Sequence, residues 1–327
     1  MPRAFITGIT GQDGSYLAEL LLGKGYEVHG LVRTETQPEK GWLQPLGDDA
    51  AVLGKKLFLH RGDLMNIAGV KQILSQCEPD EVYHLAAQTH AGKSFELAIP
   101  TVESVAMVTV HLLEHLRGMK SAPRFFHASS SEIFGTPETS PQDEQTPFAP
   151  VNPYGAAKAF ATQMVRIYRQ RYGLHLVSGI FYNHESPRRG EGFVTQKICR
   201  AAAAIKLGLE SELVMGSVDA QRDWGDARDY VQGMWLALQT ERAGDYIFAT
   251  GKLHKVQDIL DIAFGAVGLE WSKYKKDNPQ FMRPVEPQFL KGNPAKAERE
   301  LGWKRERTFE QTIREMTEAE LARLSAK

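Results

Sequence analysis

The sequence predicts an α/β fold. A doubly wound parallel sheet carries helices on both faces, and a smaller, partly interleaved C-terminal substrate domain follows. Three observations predict it. Short β-prone runs alternate with amphipathic helical stretches through residues 1–181, and that alternation implies right-handed crossovers between parallel strands. The first strand runs straight into a glycine-spaced turn and a helix. After Tyr182 the alternation loosens into loops carrying charge and glycine.

The elements follow in order. Residues 3–7 (RAFIT) form a strand ending at Gly8, and 15–24 (SYLAELLLGK) form a helix stopped by Gly25, a good C-cap. Strands two, three and four are 27–32 (EVHGLV), 56–60 (KLFLH) and 81–85 (EVYHL). A helix through Ile73 and Leu74 links the third to the fourth, and another covers the stretch near 102–116. Residues 124–127 (RFFH) open a fifth strand, 154–172 form a long helix, and 176–182 form a sixth strand. Residues 229–239 (DYVQGMWLALQ) have helical periodicity. The expected division is a Rossmann-type dinucleotide-binding domain over 1–181, rejoined by 224–251, and a substrate domain over 182–223 and 252–327. The proline-rich stretch 278–287 and the Lys/Glu-rich end from Ala295 belong to the latter.

Composition excludes several classes. The 327 residues are 42% hydrophobic and 24% charged, with a net charge of −1; that is ordinary for a soluble globular protein and gives no global basic field for nucleic acid or membrane. An anionic ligand must be held by local cations and amides. Two cysteines, Cys77 and Cys199, are too few for a disulfide framework and fit core thiols in a reducing compartment. No signal peptide or spanning apolar run is evident, so a cytoplasmic location is expected. No metal is expected either.

The strand–turn–helix at Gly8-Ile9-Thr10-Gly11-Gln12-Asp13-Gly14 is suited to a pyrophosphate. Glycines permit a tight turn and close approach, while a helix N-terminus offers free N–H groups and the positive dipole end. Asp63-Leu64 after strand three is placed to edge an adenine. The small residues of Leu85-Ala86-Ala87-Gln88 after strand four let a cofactor lie across the strand ends. At the end of strand two Arg33 favours NADP, whose 2′-phosphate needs a cation there, whereas Glu35 two residues on leaves NAD open.

Tyr154-Gly155-Ala156-Ala157-Lys158 sets a phenol and an ammonium four apart on one helix face. The ammonium is expected to lower the phenol's pKa towards neutrality and make Tyr154 an acid/base for a sugar hydroxyl. The fifth strand ends Ser129-Ser130-Ser131-Glu132. Residues two apart on an extended segment point the same way, so Ser130 and Glu132 are expected to face the cleft together. A hydroxyl at Ser130 orients the oxygen that Tyr154 deprotonates. Simple hydride transfer needs no carboxylate there, but a dehydratase does: oxidation at C4 of a hexose acidifies the C5 proton, which Glu132 removes as the C6 hydroxyl leaves.

Residues 6–33, 131–135 (SEIFG), 153–158 (PYGAAK), 183–190 (NHESPRRG), 193–198 (FVTQKI), 222–230 (RDWGDARDY) and 283–292 (RPVEPQFLKG) resemble GDP-mannose 4,6-dehydratases, of the extended short-chain dehydrogenase/reductase superfamily, over nearly the whole chain. The resemblance implies Ser130, Glu132 and Tyr154 as the catalytic trio with Lys158 in support. It implies His184 and Arg189 as cofactor contacts, and Asn183, Val194, Lys197, Arg222, Arg283 and Glu286 around the sugar nucleotide. Arginines such as Arg222 and Arg283 suit a diphosphate because they bind it bidentately. Two departures stand out. Arg33-Thr34-Glu35-Thr36 replaces the family's usual Arg-Arg-Ser-Ser, and Pro100 stands where the family often has tyrosine. The expected activity is conversion of GDP-mannose to its 4-keto-6-deoxy product. Alternatives are a related GDP-sugar such as a GDP-manno-heptose, and 4-epimerase or 4-keto-reductase chemistry. The expected assembly is a homodimer or homotetramer.

Overall fold

Runs of β-branched and aromatic residues, each closed by a helix that stops at glycine or at a polar cap, build the chain's main layer. The computed structural model describes residues 1–37, 41–47, 52–278 and 290–326. The strands are β1 (Arg3–Thr7), β2 (Glu27–Val32), β3 (Leu57–Arg61), β4 (Glu81–His84), β5 (Arg124–Ser130), β6 (Leu176–Phe181), β7 (Asn183–Glu185), β8 (Leu213–Met215), β9 (Gln221–Arg222), β10 (Trp224–Asp226), β11 (Asp245–Phe248), β12 (His254–Lys255) and β13 (Lys275–Asp277). The helices are α1 (Gln12–Gly23), α2 (Gln44–Gly47), α3 (Ile67–Cys77), α4 (Ala98–Val102), α5 (Val108–Arg117), α6 (Pro153–Tyr172), α7 (Val194–Lys206), α8 (Ala227–Gln239), α9 (Val256–Ala266), α10 (Ala295–Leu301) and α11 (Phe309–Ser325).

Seven strands form one parallel sheet in the order β11-β6-β5-β4-β1-β2-β3. This is the doubly wound α/β architecture expected, with one strand more than the six read from the sequence. The order reverses at β1, between β4 and β2, so a crevice opens beyond the carboxyl ends of β1 and β4. On one face Leu17, Leu21, Phe126, Val231, Met234 and Phe248 pack α1 and α8 against the sheet. On the other, Val70, Leu74, Leu112, Leu116 and Val165 bring α3, α5 and α6 down onto Phe5, Val82 and Phe125. A separate cluster, including Ile198, Ile259, Phe264, Ile313 and Met316, holds α7, α9 and α11 together.

Trp303 ties the late chain to the sheet layer. It is fully buried, donates to the Asp229 carbonyl at 2.7 Å, and meets Phe248 edge-on at 5.1 Å between centroids. The helix expected near 102–116 is broken in two by a π-helical turn over Glu103–Met107. There the Ser104 hydroxyl donates to the Pro100 carbonyl at 2.6 Å, drawing on an acceptor of the helix ladder. Both cysteines are buried and free, on α3 and α7.

Candidate active site

The β1–α1 turn is held by backbone contact. Gly11 N–H donates to the Gly8 carbonyl at 3.0 Å. Gly8 has φ of +77°, a region that favours glycine, and a Cβ there would stand 2.9 Å from Ala86 N. At Gly14 a Cβ would come within 2.2 Å of the Gly8 oxygen. No side chain caps the first turn of α1 at Gly11, so the turn presents amide donors at the positive end of a helix. These features fit a pyrophosphate. Thr10 is half-buried in the same turn. The Thr7 hydroxyl accepts from Leu85 and Ala86 N–H, both at 3.1 Å, and so fixes the segment after β4 beside it. Ala87 and Gln88 follow, half-buried, with the Gln88 amide closing a turn onto His90.

The segment after β6 straps this turn from the side. The Gln12 amide donates to the His184 carbonyl at 3.1 Å and accepts from the Ser186 hydroxyl at 2.8 Å. Asp13 meets His184 Nε2 at 2.9 Å. Burial alone would raise the Asp13 carboxyl, but the charge of His184 and its hydrogen bond outweigh it and hold the carboxyl below its ordinary value. Burial likewise opposes the His184 charge, and Asp13 overcomes it and raises the imidazole. Arg189 lies 3.0 Å from the buried Glu185 without the alignment of a hydrogen bond, and stacks 3.6 Å above the Phe193 ring. Asn183 opens β7 beside Trp224 of β10.

Tyr154 is buried at the start of α6, its N–H donating to the Ser94 hydroxyl at 3.2 Å. Its phenol is hydrogen-bonded with Ser130. Glu132 does not continue the strand, as the alternation argument expected. The chain turns through a single 3-10 turn at Ser131–Ile133, and the Glu132 N–H comes back to the Ser130 hydroxyl at 3.3 Å. The tight turn, rather than strand alternation, brings the Glu132 backbone to the Ser130 hydroxyl and leaves the carboxylate near enough to raise the Tyr154 phenol. The Glu132 carboxylate accepts from Asn152 Nδ2 at 2.7 Å.

Lys158 departs further from expectation. Its ammonium stands 5.8 Å from the centre of the Tyr154 ring and donates to the Ala128 carbonyl, so it makes no bond to the phenol oxygen. Burial pushes the Tyr154 phenol up to about 12, with Ser130 pulling down and Glu132 pushing up, instead of the fall that the sequence suggested. Burial also pulls Lys158 down to about 8. Tyr154 is thus a protonated phenol, and the neighbouring Lys158 keeps its positive charge only below about 8.

The remaining expected residues are more dispersed. Arg33 is exposed at the end of β2 with Glu35 3.7 Å away, while Asp63 folds back to accept from Met65 N–H at 2.9 Å. Leu64 packs on the α3 side of the sheet. Val194 starts α7, where Lys197 donates to the Val214 carbonyl at 2.6 Å, and Arg222 of β9 donates to Gln221 O at 2.6 Å. Arg283 and Glu286 lie outside the described residues. Sequence reasoning missed Asn152, Ser94 and Ser186. Asn152 had a signal, since asparagine before proline at a helix start is an N-cap pattern; the two serines had none.

The strand order, the glycine turn and the Tyr154–Lys158 helix beside it define the class of the extended short-chain dehydrogenases/reductases. Comparison narrows this. Residues 5–316 match the family described as GDP-mannose 4,6 dehydratase. GDP-mannose 4,6 dehydratase 1 of Arabidopsis thaliana is 46% identical over 323 residues, 97% of this chain and 89% of that protein. The GDP-mannose 4,6-dehydratase of Sinorhizobium fredii is 42% identical over 340 residues, 98% and 97% of the two chains. Among solved structures, UDP-glucose 4-epimerase of Thermus thermophilus, in complex with NAD, superposes with a TM-score of 0.81 at 27% identity, covering 97% of this chain and 98% of that one. The chain belongs to the GDP-mannose 4,6-dehydratase family.

Proposed function

We propose that this protein is a nicotinamide-dependent GDP-mannose 4,6-dehydratase. The observation that carries the reading is the carboxylate of Glu132, held by Asn152 at the start of the Tyr154 helix and close enough to act on the Tyr154 phenol. Epimerase or keto-reductase chemistry has no use for a base aimed at C5. The residues that would hold the dinucleotide are Gly8, Thr10, Gly11, Gln12, Asp13 and Gly14 at the pyrophosphate. They are joined by Leu85, Ala86, Ala87 and Gln88 along the strand ends, Asp63 and Leu64 towards the adenine, and His184 and Arg189 opposite. A nicotinamide held there would supply the hydride acceptor for C4 and the hydride donor for C6, so no external reductant would be needed.

The chain's own groups move the protons. Ser130 holds the C4 oxygen and Tyr154 takes its proton. With its phenol raised to about 12 by burial, Tyr154 needs neighbouring positive charge to act as the base, and Lys158 on the next turn supplies it. Glu132 removes the C5 proton once C4 is a ketone. One of the two protons leaves with the C6 hydroxyl as water and the other returns to C5. Asn183, Val194, Lys197 and Arg222, with Arg283 and Glu286, form the proposed sugar-nucleotide region.

Arg33, exposed at the end of β2 and paired only with the equally exposed Glu35 at 3.7 Å, supports NADP over NAD. The apolar residues Phe95, Ile99, Met107, Phe160, Ile167 and Tyr172, exposed on and around α4, α5 and α6, support a homodimer or homotetramer that covers them with a second copy. Two buried free thiols support a cytoplasmic location. The test is incubation with GDP-mannose without reductant, followed by mass spectrometry. Loss of one water, abolished in Glu132→Gln, is the expected result; an unchanged substrate refutes GDP-mannose as the sugar nucleotide.

A further inference from the structure

Asn152 stands between the two halves of the site. It is the N-cap of α6, and its side-chain oxygen accepts from Gly155 N–H at 2.8 Å. The other end of the same carboxamide donates to Glu132 Oε2 at 2.7 Å. Its acceptor end is thus committed to the helix that carries Tyr154 and Lys158, and its donor end to the carboxylate on the turn after β5. An amide is rigid and planar, so fixing one end fixes the other. The backbone repeats the link: Ala149 N–H donates to the Ile133 carbonyl at 3.0 Å, closing the approach to Asn152 onto the Glu132 turn.

We propose that Asn152 is a positioning residue for the elimination step: its carboxamide sets the Glu132 carboxylate against the Tyr154 helix. The proposal rests on the reading of Glu132 as the C5 base. A cap alone does not call for asparagine. Serine and aspartate cap a helix as well, but neither spans both partners while donating to a carboxylate. Aspartate keeps the cap acceptor and replaces the donor by a second carboxylate, and two carboxylates sharing a site resist joint ionisation. Serine keeps a cap and falls short of Glu132.

The experiment uses the full chain with GDP-mannose and bound cofactor, and compares Asn152→Asp and Asn152→Ser with wild type and Glu132→Gln. Single-turnover absorbance of the reduced nicotinamide reads C4 oxidation as it rises and elimination with hydride return as it falls. The expected result is a near-normal rise in both Asn152 variants and a fall slowed about 10- to 100-fold, the size of a small misplacement of a catalytic group. In Asn152→Asp the acid limb of the fall also moves up by about one pH unit or more. Thermal midpoints stay close to wild type because both variants keep a cap. A wild-type fall and pH profile in both variants overturns the proposal, as does an equal slowing of rise and fall with a lowered midpoint, the mark of a purely structural role. If Glu132→Gln still releases water, the assignment of Glu132 fails and the Asn152 role fails with it. If Glu132→Gln stops elimination and the Asn152 variants do not slow it, Asn152 alone is refuted.

Discussion

Gly14→Ala tests the phosphate turn directly. The new Cβ would stand 2.2 Å from the Gly8 oxygen and 2.6 Å from Ile9 Cα, both backbone atoms. Ordinary contact between such atoms needs about 3.5 Å, so the turn must retreat by roughly 1 Å. Gly8 has little room to retreat, because the backbone of Ala86, just after β4, lies alongside it, 2.9 Å from where an added Cβ would stand. Overpacking of this kind costs about 1–3 kcal/mol, and the helix gains at most about 1 kcal/mol from alanine. The stability change is therefore modest, and the loss falls on the amides that would face a pyrophosphate. Calorimetric titration with NADP should show affinity lowered about 10- to 100-fold, or about 1.4–2.8 kcal/mol. Gly23→Ala is the control: it lies in the last turn of the same helix with nothing within 4 Å of its Cβ, and it should bind as wild type. Equal affinity in Gly14→Ala and Gly23→Ala would refute the reasoning.

Three further outcomes are expected. Lys158 loses its proton near 8 in the folded chain against an ordinary 10.5, so between those values the unfolded chain holds the extra proton and stability climbs with pH. The climb is about 3 kcal/mol at full size, and denaturant melts of Lys158→Met across that window should lack it. Arg33→Ala should weaken NADP about tenfold and leave NAD nearly unchanged, the difference a single charged contact to a phosphate makes; competitive titration of the two nucleotides reads it. Phe160→Asp with Ile167→Asp puts two charges on the apolar face of α6. Sedimentation should then show a monomer, against the proposed dimer or tetramer of wild type.

The strands were legible because their physics is local. β1 and β2 fall on the expected residues, and β3, β4 and β6 differ by a residue at their ends. The last strand of the sheet, β11, escaped notice because DYIF is four residues long and follows a helix whose own pattern is stronger. In the site, Tyr154, Lys158 and Ser130 could be named from spacing, and Glu132 from the chemistry that a dehydratase requires. What spacing could not supply was the partner of each group. Lys158 turning to Ala128 rather than the phenol, and Glu132 turning to Asn152, depend on a 3-10 turn and on burial. Those arise only when residues 20 to 30 positions apart pack together. Gln12 bonding to Ser186 and His184 spans a still longer separation that no window of sequence displays.

The sheet order has a consequence for how the chain comes off the ribosome. Its outer strand, β11, is made after the segments that build β7, α7 and β10, and the cap of the phosphate turn by His184 and Ser186 also waits for the chain beyond β6. Until Phe248 has been synthesised, β6 is an uncovered hydrophobic edge. The nascent chain therefore passes through a long stage in which an open strand is available to pair with a neighbour. Its yield in a cell should depend on chaperone supply well before any limit set by the stability of the finished molecule.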